Sequence, residues 1–160
     1  MRKGSSGASD PWEALLQLLD RKALTMAEAE EALVERGFGR TKARTSVAKA
    51  RRLGMLDDRR IADDIAEGGG WKAPQGVLRV RHELERRGVP ERVADEALGS
   101  VDDLERCRAA LAAYLERHGA PADLRAVARI VSHLARRGFT EDSVRQSLTD
   151  RGIEPGWHDA

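Results

Sequence analysis

The chain has a single cysteine, Cys107, among its 160 residues. An intrachain disulfide is therefore excluded, and a lone thiol is what a reducing compartment leads one to expect. Aromatic residues are only 4% of the chain while 34% is charged, a balance that suits many exposed helix faces better than one large globular core. No apolar run approaches the roughly 20 residues needed to cross a bilayer. Met1, Arg2 and Lys3 lead into a Gly/Ser segment rather than a signal-peptide core, so a cytoplasmic protein without a membrane partner is expected. Charge of one sign is also scarce: 28 Lys/Arg against 27 Asp/Glu leave a formal net charge of +1. Such a chain does not coat nucleic acid indiscriminately, and any electrostatic partner must be chosen by a local patch. His82, His118, His133 and His158 show no metal-ligand spacing with one another or with Cys107. There is no Gly-x-Ser-x-Gly elbow or nucleophile-base pair. No metal, no cofactor and no enzymatic activity are expected.

What is present is a repeat. The pattern Leu-x-x-Arg-Gly followed by Phe or Val occurs at Leu33 to Phe38, Leu84 to Val89 and Leu134 to Phe139, with Gly37, Gly88 and Gly138 spaced 51 and then 50 residues apart. Each copy reads as a helix ending. A basic residue in the last turn suits the negative end of the helix dipole, glycine can take the left-handed cap conformation, and the apolar residue beyond it folds back onto the helix. Ten residues after each glycine comes another apolar residue, Val47, Leu98 and Leu148, so a second helix returns to the same core.

Periodicity and capping signals predict nine helices in three groups, at residues 11–21, 25–36 and 40–53, then 57–67, 75–87 and 90–98, then 102–118, 123–137 and 140–150. Pro11 after Asp10 opens the first. Thr25 with Glu28 forms a capping box that opens the second. No segment alternates with period two for long enough to be a strand. The expected architecture is all-α, an elongated tandem array of three three-helix repeats. A flexible leader at 1–10 precedes repeats at 11–56, 57–100 and 101–152, and a tail at 153–160 follows. Cys107 lies on the apolar side of its helix near Leu104, Leu111 and Tyr114 and is expected to be a small core residue.

Charge counted by segment locates the patch. Residues 12–56 hold nine Lys/Arg against six Asp/Glu, residues 57–100 eight against ten, and residues 101–160 nine against ten. Most of the excess is Arg40, Lys42, Arg44, Lys49, Arg51 and Arg52, with no acid among them. On a helical wheel Arg40, Arg44 and Arg51 fall on one side and Lys42 and Lys49 on the other, flanking a seam of Ala43, Val47 and Ala50. These cations could contact phosphates or acidic side chains, or form the solvated edges of a helix. Arg79, Arg81, Arg86 and Arg87 make a second, diluted cluster in which Glu83 and Glu85 are interleaved, so intrahelical pairing can account for part of it. Trp71, in the connection from Gly68 to Pro74, could stack on a base, anchor an interface or cover a helix junction. The acid pairs Asp57-Asp58 and Asp63-Asp64 read as cap and dipole partners rather than a metal or acid-base site.

These segments together resemble the RecX family of regulatory proteins. The resemblance spans roughly residues 14–152. Its recognisable parts are Leu19 to Thr25 with Glu28, Glu31 to Phe38, Leu53 to Ala62 with its Leu-Asp-Asp junction, Glu83 to Val89, and Leu134 to Phe139. The resemblance implies tandem three-helix repeats and non-covalent control of the RecA recombinase. The protein would lie in the groove of the RecA filament on single-stranded DNA and hinder ATP turnover, strand exchange and filament growth, as a monomer and with no cofactor of its own. It leaves open whether single- or double-stranded DNA is touched directly. A DNA-binding helical protein reading DNA through residues 40–52, and a scaffold for some other protein, are the alternative readings of the same residues.

Overall fold

Helix endings organise this chain. The computed structural model describes residues 10–156, which form nine α-helices and no strand: α1 (Pro11–Leu19), α2 (Met26–Glu35), α3 (Arg40–Arg52), α4 (Asp58–Ala66), α5 (Val77–Arg86), α6 (Glu91–Leu98), α7 (Asp103–His118), α8 (Leu124–Arg136) and α9 (Glu141–Asp150). Each expected helix is present within two residues of its expected ends. Residues 1–9 of the leader expected at 1–10, and the part of the tail beyond residue 156 with His158, lie outside the described residues.

The three repeated glycines end α2, α5 and α8 in the same way. Their φ angles are +94°, +71° and +82° for Gly37, Gly88 and Gly138, a left-handed conformation that glycine adopts without a Cβ penalty. The amide of the next residue donates five residues back, from Phe38 to Leu33 O, Val89 to Leu84 O and Phe139 to Leu134 O, at 3.2, 3.0 and 3.4 Å. This is the Schellman closure that satisfies orphan carbonyls at a helix end. Leu33, Leu84 and Leu134 are completely buried. Helix starts are capped by side chains as expected: Thr25 Oγ1 accepts from Glu28 N while Glu28 accepts from Thr25 N, and Asp102, Asp123 and Thr140 cap α7, α8 and α9.

The chain divides into two compact units. One runs through Asp63 and takes in Leu84–Ala94; the other comprises Asp64–Glu83 and the chain from Asp95 onward. In the first, α1, α2 and α3 pack on one another around Leu15, Leu24, Ala29, Leu33, Ala43, Val47 and Ala50, with Trp12 and Phe38 against them. In the second, α7, α8 and α9 do the same around Cys107, Leu111, Ile130, Leu134, Phe139, Val144 and Leu148. Small residues at Ala43, Ala50, Cys107 and Ala110 let the helices approach closely, and Leu or Ile fills the space between.

Each unit also contains one junction of the same design. In the first unit Asp58 Oδ1 accepts from the Met26 amide at the start of α2 at 2.8 Å, and Arg87 O accepts from Thr25 Oγ1 at 2.6 Å. The Arg87 guanidinium donates to Ala23 O at 3.1 Å. In the second unit Asp103 Oδ1 accepts from the Val77 amide at the start of α5 at 2.7 Å, Arg137 O accepts from the Gly76 amide at 2.8 Å, and the Arg137 guanidinium donates to Pro74 O. Ala23, Thr25 and Met26 stand 51 residues before Pro74, Gly76 and Val77. A helix start in each unit is therefore capped by an aspartate and by a carbonyl that lie far along the chain, which supplies acceptors its own turn cannot provide.

Candidate interaction surface

The cationic helix α3 starts after Gly39 with no side-chain cap. Its last turn carries Lys49, Arg51 and Arg52, which suit the negative end of the helix dipole. The seam faces inward as the wheel predicted: Ala43, Val47 and Ala50 are buried, and Ser46 joins them. The six cations do not behave alike. Glu30 on α2 accepts from Arg40 at 2.8 Å and from Arg44 Nε at 3.1 Å. Burial pushes the Glu30 carboxyl upward, but the hydrogen bonds and charges of Arg40 and Arg44 outweigh it and hold the group below its usual range. Lys49 Nζ lies 4.0 Å from the centroid of the Trp12 ring, a cation-π contact. Lys42 and Arg52 are exposed and form no ion pair among the described residues.

Arg44, Arg51 and Arg52 share one wall of an open groove of about 760 Å³. Met26, Ala27 and Glu30 of α2 and Gly88 with Pro90 complete its rim, and Asp58 lies at the same groove. A neighbouring hollow of about 460 Å³ adds Asp57, Arg59 and Val93 and shares Arg51 and Asp58. Asp58 is the group that faces Arg51. Its carboxyl is pushed above the usual range by burial and by the nearby charges of Asp57 and Glu28, against the opposing effects of the Met26 amide and Arg51. The groove thus presents a row of arginines over a floor of apolar and backbone atoms, which can hold an anionic surface through forked, charge-assisted hydrogen bonds.

The second cluster is dispersed by its partners. Arg81 pairs with Asp95 on α6 at 2.9 Å. Arg87 is fixed by Glu28, with Nε and Nη2 donating to its two oxygens at 3.0 and 2.9 Å. Burial raises the Glu28 carboxyl, yet the Arg87 hydrogen bond, the Thr25 amide and the positive charges around it bring it below the usual range. Arg86 is exposed at the end of α5, and Arg79 is exposed with its backbone against Gly138. Trp71 is half-buried in the connection between α4 and α5, and its amide donates to Gly68 O at 3.2 Å. None of Arg79, Arg81, Arg86 or Trp71 lines the groove of α3.

Sequence reasoning named Asp57 and Asp58 as cap partners but missed that Asp58, like Asp103, accepts from the start of a distant helix. Asp57 caps α4 as expected, with its Oδ1 accepting from the Arg59 and Arg60 amides. Asp58 instead reaches another helix. Asp103 is its counterpart and accepts from Val77 N, Thr140 N and Thr140 Oγ1. Burial works to raise the Asp103 carboxyl, but hydrogen bonds from Ser143, Val77 and Thr140 dominate and lower it. The available signal was the recurrence of an Asp-Asp pair at the start of the first helix in successive groups.

No protein-family model matches the chain. Curated relatives do. The regulatory protein RecX of Halorhodospira halophila is 36% identical over 138 residues, covering 83% of this chain and 83% of that protein. Its counterpart in Trichlorobacter lovleyi is 32% identical over 152 residues, covering 89% and 96%, and that of Chlorobaculum tepidum is 30% identical over 133 residues, covering 83% and 82%. Among solved structures, RecX from Lactobacillus salivarius superposes with a TM-score of 0.77 at 17% identity, covering 88% of this chain and 93% of that one. A second RecX crystal structure gives 0.75 at 19% identity, covering 88% and 71%. The fold is thus that of an all-α protein whose relatives carry the name of regulatory proteins. The chain belongs to the RecX family.

Proposed function

We propose that this protein binds a RecA nucleoprotein filament in the cytoplasm and modulates it, mainly by inhibiting its ATPase and recombinase activity, without catalysis or a cofactor of its own. The observation that carries this reading is the groove along α3, where Arg44, Arg51 and Arg52 stand together on the surface of a RecX-family chain. Its arginines would engage acidic side chains or phosphates of the filament, and occupation of the filament surface would hinder the subunit movements that accompany ATP turnover. Arg40 and Lys49 play a supporting part, because neither lines the groove. Organisation as three repeats at 11–56, 57–100 and 101–152 belongs to the same proposal, supported by the matching caps at Gly37, Gly88 and Gly138.

Titration of RecA's DNA-dependent ATPase with the intact chain tests the reading. Wild type should suppress turnover, and added salt should weaken the effect steeply. The triple substitution Arg44→Glu, Arg51→Glu and Arg52→Glu should raise the half-inhibitory concentration at least tenfold while helicity is kept, since all three side chains are exposed. A folded triple variant that inhibits at the wild-type concentration would remove the α3 groove from the contact. Absence of suppression by wild type would remove the recombinase.

A further inference from the structure

Helix α8 carries a second cationic surface that charge counting by segment conceals. Its 13 residues include no acid, and Arg125, Arg129 and Arg136 recur at spacings of four and seven, which places them within about 40° of one another around the helix and roughly 16 Å from end to end along it. All three are exposed. With Tyr114, Ala128, Ser132 and His133 they line an open groove of about 430 Å³. Arg117 and Arg137 add to the field. From Tyr114 to Arg137 there are five arginines against Glu116 and Asp123, and Asp123 is engaged as the α8 cap through the Ala126 amide. None of Arg117, Arg125, Arg129 and Arg136 forms an ion pair among the described residues. Their positive charge is felt locally: burial first, then Arg137, Arg136 and Arg117, makes the His133 imidazole harder to protonate.

The groove also has rings. Tyr114 lies 4.4 Å from His118 and 5.0 Å from His133, centroid to centroid. A row of exposed guanidiniums beside a small cluster of flat side chains is the combination that binds a single strand, where the cations follow the phosphates and a base stacks on a ring. Arginine rather than lysine supplies every cation here, and its planar fork matches phosphate oxygens two at a time. An acidic peptide would use the charge but has no use for the rings.

We propose that the α8 groove, built from Arg125, Arg129, Arg136 and Tyr114, is a binding site for the phosphodiester backbone of single-stranded nucleic acid. It is separate from the α3 groove, and it stands whether or not a recombinase filament is the partner.

Fluorescence anisotropy of a labelled oligothymidylate, titrated with the full chain in the absence of any recombinase, tests the site. Wild type should bind at about 50 mM salt and weaken at about 200 mM. The variant Arg125→Glu, Arg129→Glu, Arg136→Glu should bind at least tenfold more weakly. The milder Arg125→Gln, Arg129→Gln, Arg136→Gln, checked for helicity by circular dichroism, should flatten the log-log salt slope by about 2, from roughly 0.7 per single-strand phosphate released. Tyr114→Leu, which keeps apolar volume against the unit's core, should cost roughly fivefold or more through lost stacking. Arg21→Gln, Arg60→Gln, Arg151→Gln, which removes the same charge at exposed positions outside both grooves, should leave oligonucleotide binding within about twofold. The proposal is overturned if wild type does not bind the oligonucleotide, or if a folded α8 Gln variant binds with unchanged affinity and salt slope. It is equally overturned if the Arg21→Gln, Arg60→Gln, Arg151→Gln variant loses as much binding as the α8 Gln variant. Displacement by polyglutamate at equal charge, with Tyr114→Leu without effect, would mark an acidic-protein site instead.

Discussion

The two junctions meet the same need with different chemistry. In the first unit the start of α2 is closed by a side chain: Thr25 is buried, its hydroxyl donating to Arg87 O and accepting from the Glu28 amide. In the second unit the corresponding residue is Gly76, and its backbone amide makes the equivalent bond to Arg137 O. A Cβ on Gly76 would lie 2.2 Å from the backbone of Gly138 and Phe139, and a Cβ on Gly138 would lie 2.4 Å from the Arg79 amide nitrogen. Gly88, in the first unit, meets only the Ala27 methyl at 2.6 Å. The electrostatics differ in step. Arg87 has Glu28 as its partner, whereas Arg79 stands at the position corresponding to Glu28, so Arg137 makes its bond to a carbonyl alone. A side-chain junction tolerates adjustment, and a backbone-on-backbone junction does not.

The largest expected effect tests that difference. Gly76→Ala should destabilise the protein by more than about 3 kcal/mol in urea unfolding, beyond the usual overpacking range of roughly 1–3 kcal/mol, because rigid backbone rather than a flexible side chain must move. A loss no greater than that of Thr25→Ala would show the second junction to be as adaptable as the first.

The aspartates come next and should respond to pH in opposite directions. Asp103 has a lowered carboxyl, so its contribution is present above the unfolded carboxylate range near 3.9 and is lost as pH falls through the folded value. Asp58 has a raised one, so its contribution is present at low pH and is lost as pH rises through the folded value. Asp103→Asn should therefore cost about 1.5–3 kcal/mol at pH 7, the worth of hydrogen bonds to a charged group, and less at pH 3. Asp58→Asn keeps an acceptor for the Met26 amide, and its melting temperature at pH 7 should equal or exceed wild type. Equal losses for the two variants at pH 7 would erase the electrostatic contrast.

Smaller effects sharpen the picture. Thr25→Ala removes both the cap and the bond to Arg87 O and should cost about 1–2 kcal/mol. Gly37→Ala, where a Cβ meets nothing within 4 Å, should cost only the left-handed backbone strain of about 1–2 kcal/mol. The difference between Gly37→Ala and Gly138→Ala, measured side by side, isolates the contribution of the junction from that of the cap.

Helix positions, caps and core leucines were legible in the sequence because the signals are local: a glycine and its flanking residues at Gly37, Gly88 and Gly138, a threonine with a glutamate three residues on at Thr25. What stayed hidden depends on partners distant in sequence. Glu30 is ten residues from Arg40 and fourteen from Arg44, and nothing in the spacing marks it as their shared acceptor. Arg87 finds Glu28 across 59 residues. Glu83 and Glu85, its sequence neighbours, gave no hint of that pairing. The α8 arginines were hidden for another reason, since acids at the starts of α7 and α9 cancel them in any count taken over the whole segment.

Cys107 turns the packing of the second unit into something that can be timed. It is the only thiol in the chain, it is wholly buried among Leu111, Ile130 and Leu148, and burial, with the Asp103 charge, pushes its ionisation upward. A reagent that needs the thiolate can reach it only when that core opens. The rate at which a disulfide dye labels the native protein is then a clock for openings of this unit alone, to which loosening confined to α1, α2 and α3 makes no contribution.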